Sequence, residues 1–291
     1  MIEVLILGLV IFVPALAGLL LLFTFFQMSR LPVNNPSEFL KRGGEPNTRK
    51  RVVLVGDSLT HGRIGANYVE MLMQWDKTSE FEFINAGING DLVWNVSQRI
   101  DEIVECNPDV ITILIGTNDA SASLCPGSQQ RYAKRKNLPT LPTHNWFRTI
   151  FTDLLTELIR RTQSCIAVFS IPTISEDLDS HEFQQSQRYS ETIKEIVTAK
   201  NIEYLPLNEM MVENGHAAPL KTEYSSRKAE LDMVSAAMRY YLFHQDWDSI
   251  SEKRGLEYHI DYLHLNTQGA TMIANLILQF LQSGDRIEGG S

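Results

Sequence analysis

The chain has 291 residues, 44% hydrophobic and 21% charged, enough for a membrane segment plus one domain with a sizeable core. A formal net charge of −9 argues against a nucleic-acid partner, which is met by a basic face. Three cysteines, Cys106, Cys125 and Cys165, are odd in number and match no zinc-ligand spacing, so neither a disulfide framework nor a structural zinc is expected.

From Val4 to Phe26 about 23 consecutive positions carry no charge. At ~1.5 Å per residue that is roughly 35 Å of helix, against about 30 Å of bilayer hydrocarbon. Pro14 and Gly18 are tolerated in such helices. A cleaved signal peptide is the rival reading, because Ala15-Leu16-Ala17 resembles a cleavage site. Signal peptides, however, begin basic and have an apolar core of only ~7–15 residues. This segment begins with Glu3 and stays apolar well past Ala17, so residues 4–26 are expected to form an uncleaved, single-pass anchor. Arg30, Lys41, Arg42, Arg49, Lys50 and Arg51 follow it and nothing basic precedes it, which favours the cytoplasmic side for the rest of the chain. Residues 27–50, with three prolines and mixed charge, read as a solvated tether.

The domain is expected over 51–283. Residues 52–55 are apolar and mostly β-branched, a buried strand that ends at Gly56-Asp57-Ser58. Residues 64–75 carry Ile64, Tyr68, Met71, Leu72 and Trp75 at helical spacing. A second strand, 81–86, ends at Asn89-Gly90-Asp91, and 93–104 returns to helical period. Residues 110–115 are apolar on both faces, as in a central parallel strand, and end at Gly116-Thr117-Asn118-Asp119. An amphipathic helix over 147–159, a strand over 166–171, a helix over 189–199, a strand over 202–207 and a last helix over 268–281 follow. The alternation predicts an α/β fold with a five-stranded parallel sheet covered on both faces. The three glycine-bearing polar loops then follow strand ends on one edge, and converge. Two insertions stand out. Residues 121–145 hold Arg131, Lys134, Arg135 and Lys136 and read as a long loop: a lid, a basic contact for an anionic headgroup, or a solvated excursion. Residues 223–247 read as an aromatic-rich helix packed on the core, on the acyl pocket or on the membrane surface. Residues 284–291 read as a polar tail.

A serine at a strand-to-helix turn, Ser58, reads in two ways. Asp57, Ser58 and Thr60 can simply cap the following helix, or Ser58 is a nucleophile at the carboxyl edge of the sheet. A base would decide between them. Among seven histidines, His264 has a carboxylate three residues earlier in Asp261-Tyr262-Leu263-His264. A carboxylate that accepts from Nδ1–H fixes the tautomer and leaves Nε2 free to take a proton from a serine. His61 has no acid at helical spacing and reads as a pocket wall or solvated turn residue. Asp119 reads as a turn and cap residue, and Trp75, Trp94 and Trp146 as core or pocket lining.

With these motifs the chain resembles the GDSL, or SGNH, hydrolases over residues 51–283: Gly56-Asp57-Ser58-Leu59, Asn89-Gly90-Asp91, Gly116-Thr117-Asn118-Asp119 and Asp261-x-x-His264 occur in the family order. The resemblance implies a three-layer, flavodoxin-like fold and hydrolysis of esters or thioesters, with Ser58, Asp261 and His264 catalytic and no metal or cofactor. It also implies that the N–H groups of Ser58 and Gly90 and the side-chain amide of Asn118 hold the oxyanion. The residue types agree: a hydroxyl, an imidazole with its carboxylate, and donors for a tetrahedral oxyanion are what acyl transfer requires. The expected function is a membrane-anchored serine hydrolase of acyl esters or thioesters, lipid-derived ones included. The alternatives are a carbohydrate O-acetyl esterase or acyltransferase and a non-catalytic anchored interaction module. The expected partners are the acyl-ester substrate and the membrane.

Overall fold

The computed structural model describes residues 2–43, 49–215 and 226–283. Residues 52–55 alternate between two apolar layers, and this alternation builds the domain. Val53 and Val55 pack on Phe147, Phe151 and Leu154 on one side, while Val52 and Leu54 pack on Leu72, Ile273 and Ile277 on the other. The result is a helix–sheet–helix sandwich.

Its sheet has strands β1 (Lys50–Gly56), β2 (Phe81–Gly87), β3 (Val110–Leu114), β4 (Cys165–Phe169) and β5 (Glu203–Leu205), all parallel, in the order β2-β1-β3-β4-β5. That is the flavodoxin-like order, with its topological switch point between β1 and β3. In register, Gly56 pairs with Gly87 on one side and with Leu114 on the other. Three strands therefore stop flush, and the loops that carry Ser58, Gly90 and Asn118 leave the sheet side by side.

The helices, in chain order, are α1 (Ile2–Ser29), α2 (Pro36–Lys41), α3 (Ser58–His61), α4 (Tyr68–Gln74), α5 (Val93–Ser97), α6 (Ile100–Glu105), α7 (Thr117–Ala122), α8 (Pro126–Arg135), α9 (His144–Arg161), α10 (His181–Ala199), α11 (Leu207–Asn214), α12 (Ser226–Phe243), α13 (Trp247–Lys253) and α14 (Thr267–Gln282).

Several of these depart from the sequence reading. The helix expected over 189–199 starts already at His181, where the Ser180 side chain caps it by accepting the Phe183 N–H. The helix expected over 64–75 starts only at Tyr68, because the Asn67 side chain accepts from the N–H groups of Val69 and Glu70 and caps it there. The helix expected over 93–104 breaks in two at Arg99, whose side chain turns back to the carbonyls of Ala86 and Gly56. The expected long loop over 121–145 instead holds α8, seated through Tyr132 in a small cluster with Leu92 and Ala122. The expected solvated tether is in large part folded onto the domain. Asn35 caps α2, Phe39 is buried in the core, and Asn34 receives the Asn85 N–H and donates to the Phe83 carbonyl. Asn34 thus covers the outer edge of β2, which would otherwise present unpaired backbone groups. Residues 44–48, the start of the 223–247 insertion and the 284–291 tail lie outside the described residues.

A third cluster ties α1 to the domain. Met28 packs with Ile64, Ala236, Ala237, Trp247 and Ile260. Among the described residues one helix, α1, is long and apolar enough to cross a membrane, and only 11% of its window Phe12–Ser29 is buried.

Candidate active site

The site starts from a close approach. A Cβ at Gly56 would lie 2.1 Å from Thr60 Oγ1 and 2.6 Å from the Leu114 carbonyl, so only glycine lets α3 settle on the end of β3. Asp57 caps α3 by accepting the Leu59 N–H at 3.0 Å, which leaves Ser58 at the first helical position.

The Ser58 hydroxyl meets Nε2 of His264 at 2.9 Å, and Nδ1 of the same ring meets Asp261 Oδ2 at 2.7 Å. The other carboxylate oxygen, Oδ1, accepts the N–H groups of His264 at 2.8 Å and Leu263 at 3.1 Å. The segment 261–264 is a tight turn rather than a helical one, with Tyr262 at φ +73°, and its hydrogen bonds hold that sparsely populated conformation. All three side chains are buried. Burial by itself would raise Asp261, but the adjacent imidazole and its hydrogen bonds prevail and hold the carboxyl below its usual value. Burial likewise opposes the charged form of His264, yet the Asp261 carboxylate prevails and raises it.

Gly90 and Asn118 line the same cavity, of about 340 Å³, as Ser58, Asp261 and His264. Gly90 has φ +72°, a conformation that disfavours side chains, and a Cβ there would touch nothing closer than Lys136 at 3.8 Å. Asn118 donates from Nδ2 to Asp57 Oδ2 and to the Asp91 carbonyl, each at 3.1 Å, and its Oδ1 receives the Tyr132 hydroxyl at 3.1 Å. Its amide is thereby fixed, with both hydrogens engaged. An acidic layer lies below: burial pushes Asp57 up to about 7 and Asp119 up to about 8.

His61 is buried, does not line this cavity, and is held down to about 4, chiefly by burial. It is thus neither the pocket wall nor the solvated residue expected. Asp119 is a cap, though for a distant helix: its Oδ2 accepts the Val93 N–H at the start of α5. Trp75, Trp94 and Trp146 are half-buried and line none of this cavity. A larger depression of about 1040 Å³, bordered by Glu176, Asp246 and Glu252, contains none of the five expected groups. Among the described residues no cluster of three or more His, Cys, Asp or Glu is placed to hold a metal ion.

Four supporting roles escaped the sequence reading, in which Lys136 stands out only as one base of the 121–145 stretch. Arg99 and Lys136 both pair with Asp91, at 3.1 and 2.8 Å, and pin the loop that carries Gly90. Tyr132 orients Asn118. Glu176 collects the N–H groups of Glu257, Tyr258 and His259 and the His259 Nδ1–H, all within 3.1 Å, and so clamps the approach to the 261–264 turn. Burial alone would raise the Glu176 carboxyl, but His259 and these donors outweigh it and lower it. No local pattern marks these four; each acts on a partner that is distant in sequence or belongs to another loop.

A flavodoxin-like sheet with a serine, an imidazole and a carboxylate in series at its switch point is the architecture of a three-layer α/β ester hydrolase. The model of the GDSL-like lipase/acylhydrolase family matches residues 54–272, and the chain belongs to that family. Among solved structures it is similar to the lipase/acylhydrolase from Enterococcus faecalis, with 18% identity, TM-score 0.54, and 80% of this chain and 96% of that one covered. It is also similar to the acetyl xylan esterase AlAXEase, with 18% identity, TM-score 0.52, and 79% and 99% covered. A third is the acetylxylan esterase Axe2 from Geobacillus stearothermophilus, with 17% identity, TM-score 0.54, and 80% and 94% covered. At these identities the likeness concerns the fold. No curated protein matches the sequence significantly.

Proposed function

We propose that this chain is a membrane-anchored serine hydrolase that cleaves acyl esters or thioesters through a covalent acyl-enzyme. The observation that carries the reading is the unbroken series Ser58 Oγ, His264 Nε2, His264 Nδ1, Asp261 Oδ2, with heavy-atom separations of 2.9 and 2.7 Å. Ser58 Oγ attacks the carbonyl carbon as His264 takes its proton, and Asp261 stabilises the imidazolium. The oxyanion is received by the N–H groups of Ser58 and Gly90 and by Asn118 Nδ2, which exchanges one of its present acceptors for it. Each such donor lowers the barrier by roughly 3 kcal/mol. His264 then gives its proton to the departing alkoxide or thiolate. Water, deprotonated by the same ring, attacks the acyl-enzyme, and the acid leaves with Ser58 Oγ reprotonated.

Anchoring by α1 is supported by its length and by exposed side chains such as Phe12, Leu19, Leu22 and Phe26. A second reading, a carbohydrate O-acetyl esterase, draws on two similar structures that are acetyl xylan esterases. Labelling of the full-length protein with a fluorophosphonate probe, with Ser58→Ala and His264→Ala as controls, tests the mechanism: an unlabelled wild-type protein, or a Ser58→Ala protein that still labels and turns over, ends it. p-Nitrophenyl esters of increasing chain length separate the two readings, since strict preference for acetate supports the carbohydrate one.

A further inference from the structure

The cavity at Ser58 has a wall that does not come from the hydrolase domain. Phe25, Met28 and Ser29 of α1 line it, facing Ala229 and Met233 of α12. We propose that the end of the N-terminal helix is part of the ester pocket, and that the acyl chain of a membrane-resident, single-chain ester enters between α1 and α12. This rests on the reading of Ser58 as the nucleophile.

Three observations lead there. First, α1 is fastened to the site rather than hung from it. Met28 is buried against Ile64, Ala236 and Trp247, and the Met28 carbonyl accepts from Asn89 Nδ2 at 2.7 Å. Asn89 adjoins Gly90, so the loop expected to receive the oxyanion is bonded directly to the helix. The Arg30 carbonyl takes a further hydrogen bond from Arg63 at 3.3 Å.

Second, the depth of the pocket relative to a bilayer follows from the helix itself. α1 is continuous from Ile2 to Ser29, and the first charge after the apolar run is Arg30. A span of ~20 residues fills the hydrocarbon core, which puts Phe25 and Met28 at its domain-side boundary. Because that stretch of helix is also pocket wall, the cavity opens at headgroup level. An ester whose carbonyl already lies at the interface has only a short way to travel to Ser58.

Third, the lining suits a chain. Phe25, Met28, Ile64, Met233 and Leu263 are apolar and adjoin the catalytic groups, and Phe25 keeps 47% of its surface exposed. A volume of about 340 Å³ lies at the low end of ligand pockets, about 300–1,000 Å³. A volume at this low end favours one chain over the two of a diacyl lipid.

The test uses full-length protein in phosphatidylcholine nanodiscs, with p-nitrophenyl decanoate and p-nitrophenyl acetate as probes. Phe26 is the control: it has the same size and nearly the same depth, but is not part of the cavity lining and is 64% exposed. Phe25→Ala is expected to lower the decanoate-to-acetate ratio of kcat/KM by about four- to fifteen-fold, the contribution of one or two buried methylenes, whereas Phe26→Ala leaves the ratio unchanged. Phe25→Trp, which narrows the same wall, is expected to move the preferred chain length downward. Equal ratios for wild type, Phe25→Ala and Phe25→Trp, with fluorophosphonate labelling of Ser58 intact, overturn the proposal and leave the serine mechanism standing. So does a wild-type enzyme confined to acetate. Loss of labelling in the wild type instead removes the underlying reading, and this one with it.

Discussion

Asp261→Asn tests the series at its buried end. Asp261 is 1% exposed and gives one oxygen to the His264 ring and the other to two backbone N–H groups. The amide is isosteric, so one oxygen can still serve the turn. An NH2 group then faces Nδ1 and is satisfied only if Nδ1 is the acceptor, which places the ring proton on Nε2, pointing at Ser58. In that tautomer His264 cannot accept the serine proton, and the carboxylate that stabilised the imidazolium is gone. Loss of kcat by about 10⁴-fold is expected, the scale known for this substitution in a serine protease triad, equivalent to about 5.4 kcal/mol of barrier. Steady-state kinetics on a p-nitrophenyl ester across pH 5–9 supply the assay. In the wild type, activity rises as His264 loses its proton, at a pH lifted by Asp261. In the variant the residual activity rises at lower pH, because the lifting charge is absent. The linkage signs are opposite for the two partners. Asp261, lowered from 3.8, contributes stability that is present above about pH 4 and lost as pH falls through its folded value. His264, raised from 6.5, contributes stability present below about pH 6.5 and lost as pH rises through its folded value. Retention of kcat within tenfold, with an unmoved acid limb, would refute the assigned role of Asp261.

Tyr132→Phe removes the hydroxyl that fixes Asn118; a fall in kcat of about two- to tenfold with little change in KM is expected, the scale of one neutral hydrogen bond, and stopped-flow or steady-state kinetics will read it. Gly56→Ala forces a Cβ onto Thr60 and the Leu114 carbonyl and should cost at least about 1–3 kcal/mol, visible as a lowered Tm and weaker labelling of Ser58. Phe39→Ala, in the stretch that composition marks as a tether, is expected to destabilise the domain by about 3 kcal/mol or more; a value near zero in a denaturant melt would mean that α2 does not pack. The basic residues after α1 favour the cytoplasmic side: protease added to intact cells should spare the domain and digest it only after permeabilisation.

Much of the domain was legible because its signals are local. β-branched runs bounded by glycine and polar turns marked all five strands to within a few residues. The alternation with helices implied a parallel sheet, and a parallel sheet implied that loops after its strands share an edge. Asp261 and His264 are three residues apart, so their pairing is written into one turn. Ser58 and His264 lie 206 residues apart, yet strand order brings them together without any local cue.

Other features depended on which surfaces meet. Proline and charge in 27–43 described a tether, but Phe39 found an open apolar face and Asn34 an unpaired strand edge, and burial outweighed local composition. Arg99 broke a periodic helix because two strand-end carbonyls and Asp91 lay within its reach. Glu176 and Tyr132 support the site through contacts whose geometry exists only once the loops are stacked. The sequence by itself determined the period of each element and the chemistry at each strand end, since both are properties of neighbouring residues. Tertiary structure alone decided which distant groups complete the hydrogen bonds of those ends, and that an apolar helix at the N-terminus forms one side of the cavity around Ser58, since both depend on the register and packing of elements that share no local pattern.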